Sequence, residues 1–221
     1  MMDEAFSLLG AGSTEILIIC DHASSIVPPD IDLGIDPALL REHIAIDIGV
    51  AEVAGLLVDA LDCRAIFAGV SRLVIDLNRE PDASGLLPLT SDGHRIPGNE
   101  QADLAARMQR FYHPYHRAVD RELDRMTSPF ILSLHSFTPR LSSDPAQQRP
   151  WDIGILYNED DRAARIAIPM LQAAGLNVGD QLPYSGRLLN ATMNLHAEAR
   201  GIPYLDRKST RLNSSHTDIS R

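Results

Sequence analysis

Glu15-Ile-Leu-Ile-Ile-Cys-Asp-His-Ala-Ser-Ser-Ile-Val-Pro28 is an apolar run that stops abruptly in residues able to do chemistry. Ile16 to Cys20 has the length and β-branched content of a strand buried on both faces. Asp21, His22 and Ser24 then sit where such a strand opens at its C-terminal edge, the edge at which open α/β sheets bind ligands. Two later stretches repeat the pattern, Leu73-Val-Ile-Asp-Leu-Asn-Arg79 and Phe130-Ile-Leu-Ser-Leu-His-Ser-Phe137. Three strands delivering His22, Asp76 to Arg79, and His135 to one rim is the organisation this implies.

The chain has 221 residues, enough to bury a full core as one α/β domain, and no Pro/Gly/Ser linker divides it. A formal net charge of −10 argues against a nucleic-acid backbone or an anionic membrane surface as partner. A small carboxylate substrate remains compatible, because local arginines can oppose the global sign. No apolar run reaches transmembrane length, and Met1-Met2-Asp3-Glu4 is acidic where a signal peptide is basic, so the expected location is the cytoplasm. Cys20 and Cys63 lie in apolar stretches and read as reduced core thiols.

The C-terminus changes character. Lys208 is the only lysine of the chain, and it falls within Asp206-Arg-Lys-Ser-Thr-Arg-Leu-Asn-Ser-Ser-His216. That segment resembles the in-frame translation of a sequencing-library adapter. Residues 206–221 are therefore expected to be a non-native tail on a single domain spanning 1–205, truncated at its C-terminus.

In chain order, residues 1–14 suggest an irregular lead-in, and Pro28-Pro29-Asp30 an extended loop. Asp36-Pro37 supplies an N-cap and first-turn proline for a helix to about Leu61, with Leu40, Ile44, Ile48, Ala51 and Leu56 on its buried side and Asp47 breaking the apolar pattern. Cys63 to Ala68 and Leu73 to Leu77 read as strands. Glu80 to Gly98, with three prolines and three glycines, reads as a long loop covering the site. Asn99 should cap a helix to about Met126, on which His113 and His116 are expected to be solvated. Strands at Phe130–Leu134 and Trp151–Tyr157 follow, then helices at Asp160–Ala174 and Asn190–Arg200, each closed by a glycine. A last strand begins at Ile202 and is expected to be cut short after Leu205. Strands alternating with helices imply an α/β sandwich around a mostly parallel sheet.

Two constellations carry chemistry. His22, His135 and Asp47, on separate elements, make up the two imidazoles and one carboxylate of a catalytic zinc site with an open position. The same histidines could equally be core residues satisfied by backbone carbonyls. Asp76 and Asn78 share one face of an extended segment that ends in Arg79, whose guanidinium fork and neighbouring amide can hold a carboxylate. The competing reading is a structural Asp76–Arg79 ion pair.

His22-Ala-Ser with Pro28, Asp47-Ile-Gly49, Ser71-Arg72 through Asp76-Leu-Asn-Arg79, Ile96-Pro-Gly-Asn99, Leu134-His-Ser-Phe137 and Pro183-Tyr-Ser-Gly-Arg187 fall in order, and together they resemble the N-formylglutamate amidohydrolase family over nearly all of residues 15–205. That family is similar in fold to zinc carboxypeptidases and aspartoacylase, which implies a three-layer sandwich with a mixed, mostly parallel sheet. The resemblance implies that His22 and His135 hold a zinc ion, Asn78 and Arg79 a substrate carboxylate with Arg187 as a further anchor, and that Arg72 polarises the scissile carbonyl. Asp47 as third metal ligand is inferred from its placement, because Ser25 stands where related carboxypeptidases carry a glutamate ligand. Family members also carry a glutamate, the expected general base, on the strand after Gly-Ile-Pro-Tyr, where this chain reads Asp206-Arg-Lys-Ser. The expectation is a zinc-dependent amidohydrolase for an N-acyl, above all N-formyl, amino acid such as N-formylglutamate, impaired in this chain. The alternatives are a non-catalytic binder of an acidic metabolite and an unstable chimeric fragment.

Overall fold

A computed structural model of the protein describes residues 4–141, 143–144, 146–187 and 190–210. Ile16–Cys20 forms β2 at the heart of a seven-stranded sheet. Its other strands are β1 (Phe6–Leu9), β3 (Arg64–Ala68), β6 (Phe130–Phe137), β7 (Ile153–Leu156), β8 (Val178–Asp180) and β9 (Tyr204–Thr210), in the order β1-β3-β2-β6-β9-β7-β8. Strands β3, β2, β6 and β9 run parallel, β1 joins antiparallel at one edge, and the parallel pair β7 and β8 joins antiparallel at the other. The chain leaves β2 to build β3 on one side and returns to build β6 on the other. The C-terminal end of β2 is thus a topological switch point, where a crevice opens.

Alternation along β2 feeds two cores. Leu17 and Ile19 join Ile66, Ile131 and Tyr204 beneath Phe111, Tyr115, Val119 and Met193. Ile18 and Cys20 join Ala65 and Leu134 beneath Val50, Ala54 and Val58 of α1 (Val50–Leu61). Burying each of these β2 side chains contributes about 2 kcal/mol. Helix α4 (Arg162–Ala173) covers β7 and β8 on the α1 face, because Leu205 in its cluster lies opposite Leu132 in the β6–β9 register. The layers are therefore α1 and α4, sheet, and α3 (His113–Leu123) with α5 (Ala191–His196). Cys20 and Cys63 are free and buried in the α1 core.

The expected helix over residues 36–61 is two elements. Asp36 does cap a turn, accepting from Ala38 N–H, but the 3-10 helix Pro37–Arg41 ends there, and α1 starts only after Gly49 at φ +81°. That left-handed break resets the register and leaves Leu56 exposed. It also puts Asp47 in a turn rather than on a helix face. Leu73 to Leu77 is not a strand but a buried run of turns. Its carbonyls go to side chains instead of a ladder: Asn99 Nδ2 donates to Leu73 O, Arg107 Nη1 to Val74 O, and His116 Nε2 to Leu77 O.

The cover segment contains a hairpin, β4 (Thr90–Ser91) with β5 (His94–Arg95), turned by Asp92 and Gly93, both at positive φ. Asn99 is consumed by the Leu73 and Pro88 carbonyls, so Asp103 caps the next helix. That helix runs as α2 (Leu104–Arg107), a π-helical turn at Met108–Tyr112, and α3. Pro114, lacking an N–H, sits where the widened turn closes. His116 is buried rather than solvated. The lead-in holds edge strand β1, and the short β8 was also missed. Strand β9 does not stop at Leu205: Asp206 to Thr210 pair with β6, and Asp206 to Ser209 with β7 as well. Backbone ladders do not read side chains, so this composition break leaves the pairing intact.

Candidate functional site

The parallel register sets the site. Asp21 and His22 follow β2, and His135, inside β6, lies opposite Lys208 of β9. The turn before α1 brings Asp47 across the same strand ends, its N–H bonded to the His22 carbonyl. The Leu73–Leu77 run then delivers Asp76, Asn78 and Arg79. Beside them lies a cavity of about 250 Å³ lined by His22, Asp47, Arg72, Asn78, Arg79 and Lys208, by Ser91 and Asp92 of the hairpin, and by Ser136, Thr138 and Tyr184 among others, with Asp21, Asp76 and His135 behind its wall. Asp92 ties the cover down, accepting from His43 Nε2 at 2.9 Å and from the Ser143 N–H at 2.8 Å. Arg187 is exposed and does not line this cavity.

His22, Asp47 and His135 are buried and converge, one ligand atom from each lying within 4.8 Å of the others. Asp47 Oδ2 is 3.0 Å from His135 Nδ1 and 3.7 Å from His22 Nδ1, and the imidazole centroids are 5.0 Å apart. Burial alone would raise the Asp47 carboxyl, but the hydrogen bond from His135 and the nearby His22 imidazole hold it well below the usual carboxylate range. Burial and the charge of Lys208 push His135 down to about 4, which keeps its ring neutral at neutral pH.

The donor set suits a divalent ion on two further observations. Among the described residues His22 Nδ1 has no hydrogen-bond partner, while its Nε2 is fixed by Asp76 Oδ1 at 2.7 Å, the arrangement in which a carboxylate orients a ligating ring. If Nδ1 of His135 is the ligating atom, its Nε2 must carry the proton and needs an acceptor. Asp21 Oδ2, buried and without a hydrogen-bond partner among the described residues, lies 3.8 Å from it, while Asp21 Oδ1 accepts from Tyr115 Oη at 2.6 Å.

Arg72 bridges the carboxylates, donating from Nη2 to Asp76 Oδ2 at 2.7 Å with Nη1 3.6 Å from Asp47 Oδ1. Arg79 Nε is 3.6 Å from Asp76 Oδ2, so the ion pair and the cradle coexist. Burial opposes ionisation of Asp76, yet the charges of Arg72, His22 and Arg79 hold its carboxyl well below the ordinary range. Asn78 Oδ1 accepts from the Thr192 N–H at 2.9 Å, which assigns the amide and leaves Nδ2 as a donor 3.4 Å from His135 Nε2; that contact needs an unprotonated Nε2, so in the tautomer that ligates through Nδ1 the Asn78 Nδ2 must find another acceptor. Sequence reasoning placed Asp21 at the strand edge without giving it a role, and it missed Tyr184 and Lys208 as cavity residues.

The profile of the N-formylglutamate amidohydrolase family matches residues 14–206. Among solved structures, the gene product Atu2144 from Agrobacterium tumefaciens is similar with a TM-score of 0.86 and 29% identity, over 93% of this chain and 84% of that one. An N-formylglutamate amidohydrolase from Ralstonia eutropha JMP134 shares the fold with a TM-score of 0.70 and 20% identity, over 94% of this chain and 86% of that one. No curated protein matches this chain. With the profile running from just before β2 into β9, and so covering every cavity residue named above except Lys208, the chain belongs to the N-formylglutamate amidohydrolase family.

Proposed function

We propose that this protein is a zinc-dependent amidohydrolase acting on an N-acyl amino acid with a second carboxylate, N-formylglutamate being the first candidate. The observation that carries the reading is the convergence of His22, Asp47 and His135 on one point beside two arginines. A two-nitrogen, one-oxygen set with room beside it suits zinc, and the mixed sheet is read as zinc carboxypeptidase-like. Zinc bound there would polarise a carbonyl and lower the pKa of a water molecule.

The remaining work falls to the chain. Arg72, held between Asp47 and Asp76, keeps outward N–H groups for the oxygen on which negative charge develops. Arg79 and the Asn78 amide donate to a substrate carboxylate, and the Ser91–Asp92 hairpin limits solvent entry. Arg187 could anchor the second carboxylate only after its loop moves, because it now faces solvent. Lys208 is the β9 side chain at the cavity, and an ammonium has no lone pair with which to accept a proton. Residues from Asp206 onward are read as foreign to the family, and turnover is expected to be impaired for want of a carboxylate base. The same lysine favours a second reading, a binder of acidic metabolites without turnover.

Assay of the zinc-loaded protein against N-formyl and N-acetyl amino acids tests the proposal. Slow, zinc-dependent release of formate from N-formylglutamate supports it. Tight binding of the dicarboxylate with no release at any pH favours the second reading.

A further inference from the structure

Behind the cavity, two histidines outside the proposed metal centre form a buried chain. His116 Nε2 lies 3.1 Å from Leu77 O, His116 Nδ1 lies 2.8 Å from His196 Nε2, and His196 Nδ1 lies 3.0 Å from Asp120 Oδ1. Both outer partners only accept: Leu77 offers a carbonyl, and Asp120 is a carboxylate that also accepts from Arg200 Nη1 at 3.2 Å. The two outer contacts therefore each require an N–H, and the central contact requires one more. Two neutral imidazoles carry two N–H groups between them, one short of three.

We infer that His116 and His196 share one extra proton, forming a single buried cation that clamps α3 and α5 onto the Leu77 carbonyl and so positions Asn78. This rests on the proposed role of Asn78 in holding a substrate carboxylate. The clamp acts through the backbone and through Thr192, whose Oγ1 donates to the same Leu77 carbonyl at 3.3 Å and whose N–H fixes Asn78 Oδ1. The groups facing the pair are Tyr112 from the π-helical turn, His113, Tyr115 and Asp120 from α3, Arg200 after α5, and Asp21 after β2. Burial and the neighbouring imidazole hold His116 down to about 3, which refuses a second proton. Burial lowers His196 too, and the Asp120 carboxylate offsets only part of that. One proton is therefore kept on the acid side and given up as pH rises. Once it leaves, one of the three contacts sets lone pair against lone pair, and the Leu77–Asn78 segment loosens.

The decisive variant is Asp120→Asn. Its amide can donate to His196 Nδ1, which lets His196 Nε2 donate to His116 Nδ1 and His116 Nε2 donate to Leu77 O, so all three bonds form with two neutral rings. Imidazole-nitrogen NMR on the full chain should count three protonated ring nitrogens on His116 and His196 at pH about 5 in the parent and two in Asp120→Asn. Two in the parent at that pH overturns the inference. In the zinc-loaded protein, the Kd for N-formylglutamate should weaken about tenfold between pH ~5.5 and ~8 in the parent and stay flat in Asp120→Asn. An Asp120→Asn protein that keeps the parental slope overturns it as well. If neither protein binds the dicarboxylate, the reading of the cavity fails, and the nitrogen count alone decides the clamp.

Discussion

His135 Nδ1 stands 3.0 Å from Asp47 Oδ2, although 88 residues separate them in the chain. The contact exists because β6 pairs parallel with β2 while Gly49 turns the chain before α1, placing Asp47 over the strand ends. In a pair this buried, either a proton or a metal ion must lie between the two atoms and the orphaned His22 Nδ1.

Asp76 orients His22 from the side opposite its orphaned nitrogen. Asp76→Asn keeps the shape but removes the charge that favours an Nε2–H tautomer. Zinc affinity, measured by competition with a chromophoric chelator, is expected to fall about 10- to 100-fold. An unchanged affinity would show that Asp76 serves only Arg72.

Asp206 is fully buried, neither carboxylate oxygen has a hydrogen-bond partner among the described residues, and burial raises its pKa. A carboxyl with a raised folded pKa binds more protons folded than unfolded. Its cost is absent below the unfolded carboxylate range and grows as pH rises through it. Asp206→Asn should therefore raise Tm by a few degrees at pH about 7 and leave it unchanged below pH about 4, read by thermal unfolding across pH. A loss of stability at neutral pH would mean that the carboxylate is paired after all.

Lys208 faces the cavity from the register position opposite His135. Lys208→Glu supplies the carboxylate base expected on this strand and should raise kcat on N-formylglutamate by about 100-fold with little change in KM. Equal turnover in the two proteins would place the proton-accepting group elsewhere.

The central strand was legible because five apolar residues ending in Asp21-His22 leave little choice but a strand buried on both faces. The convergence of His22, Asp47 and His135 was legible as chemistry, since a carboxylate set among isoleucines needs a partner. Leu73 to Leu77 was misread because an apolar run buried by side-chain hydrogen bonds looks the same in sequence as one buried in a ladder. His116 was misread for a related reason: its partner His196 lies 80 residues away, and nothing local announces it. The Asp92-Gly93 turn, by contrast, carried a hairpin signal in the sequence that went unused.

The most direct test of the account is metal content. After zinc loading and desalting, elemental analysis should find one zinc per chain in the parent and none in His22→Ala or His135→Ala, both variants still folded by circular dichroism. A folded parent that retains no zinc, or an alanine variant that retains all of it, would contradict the account.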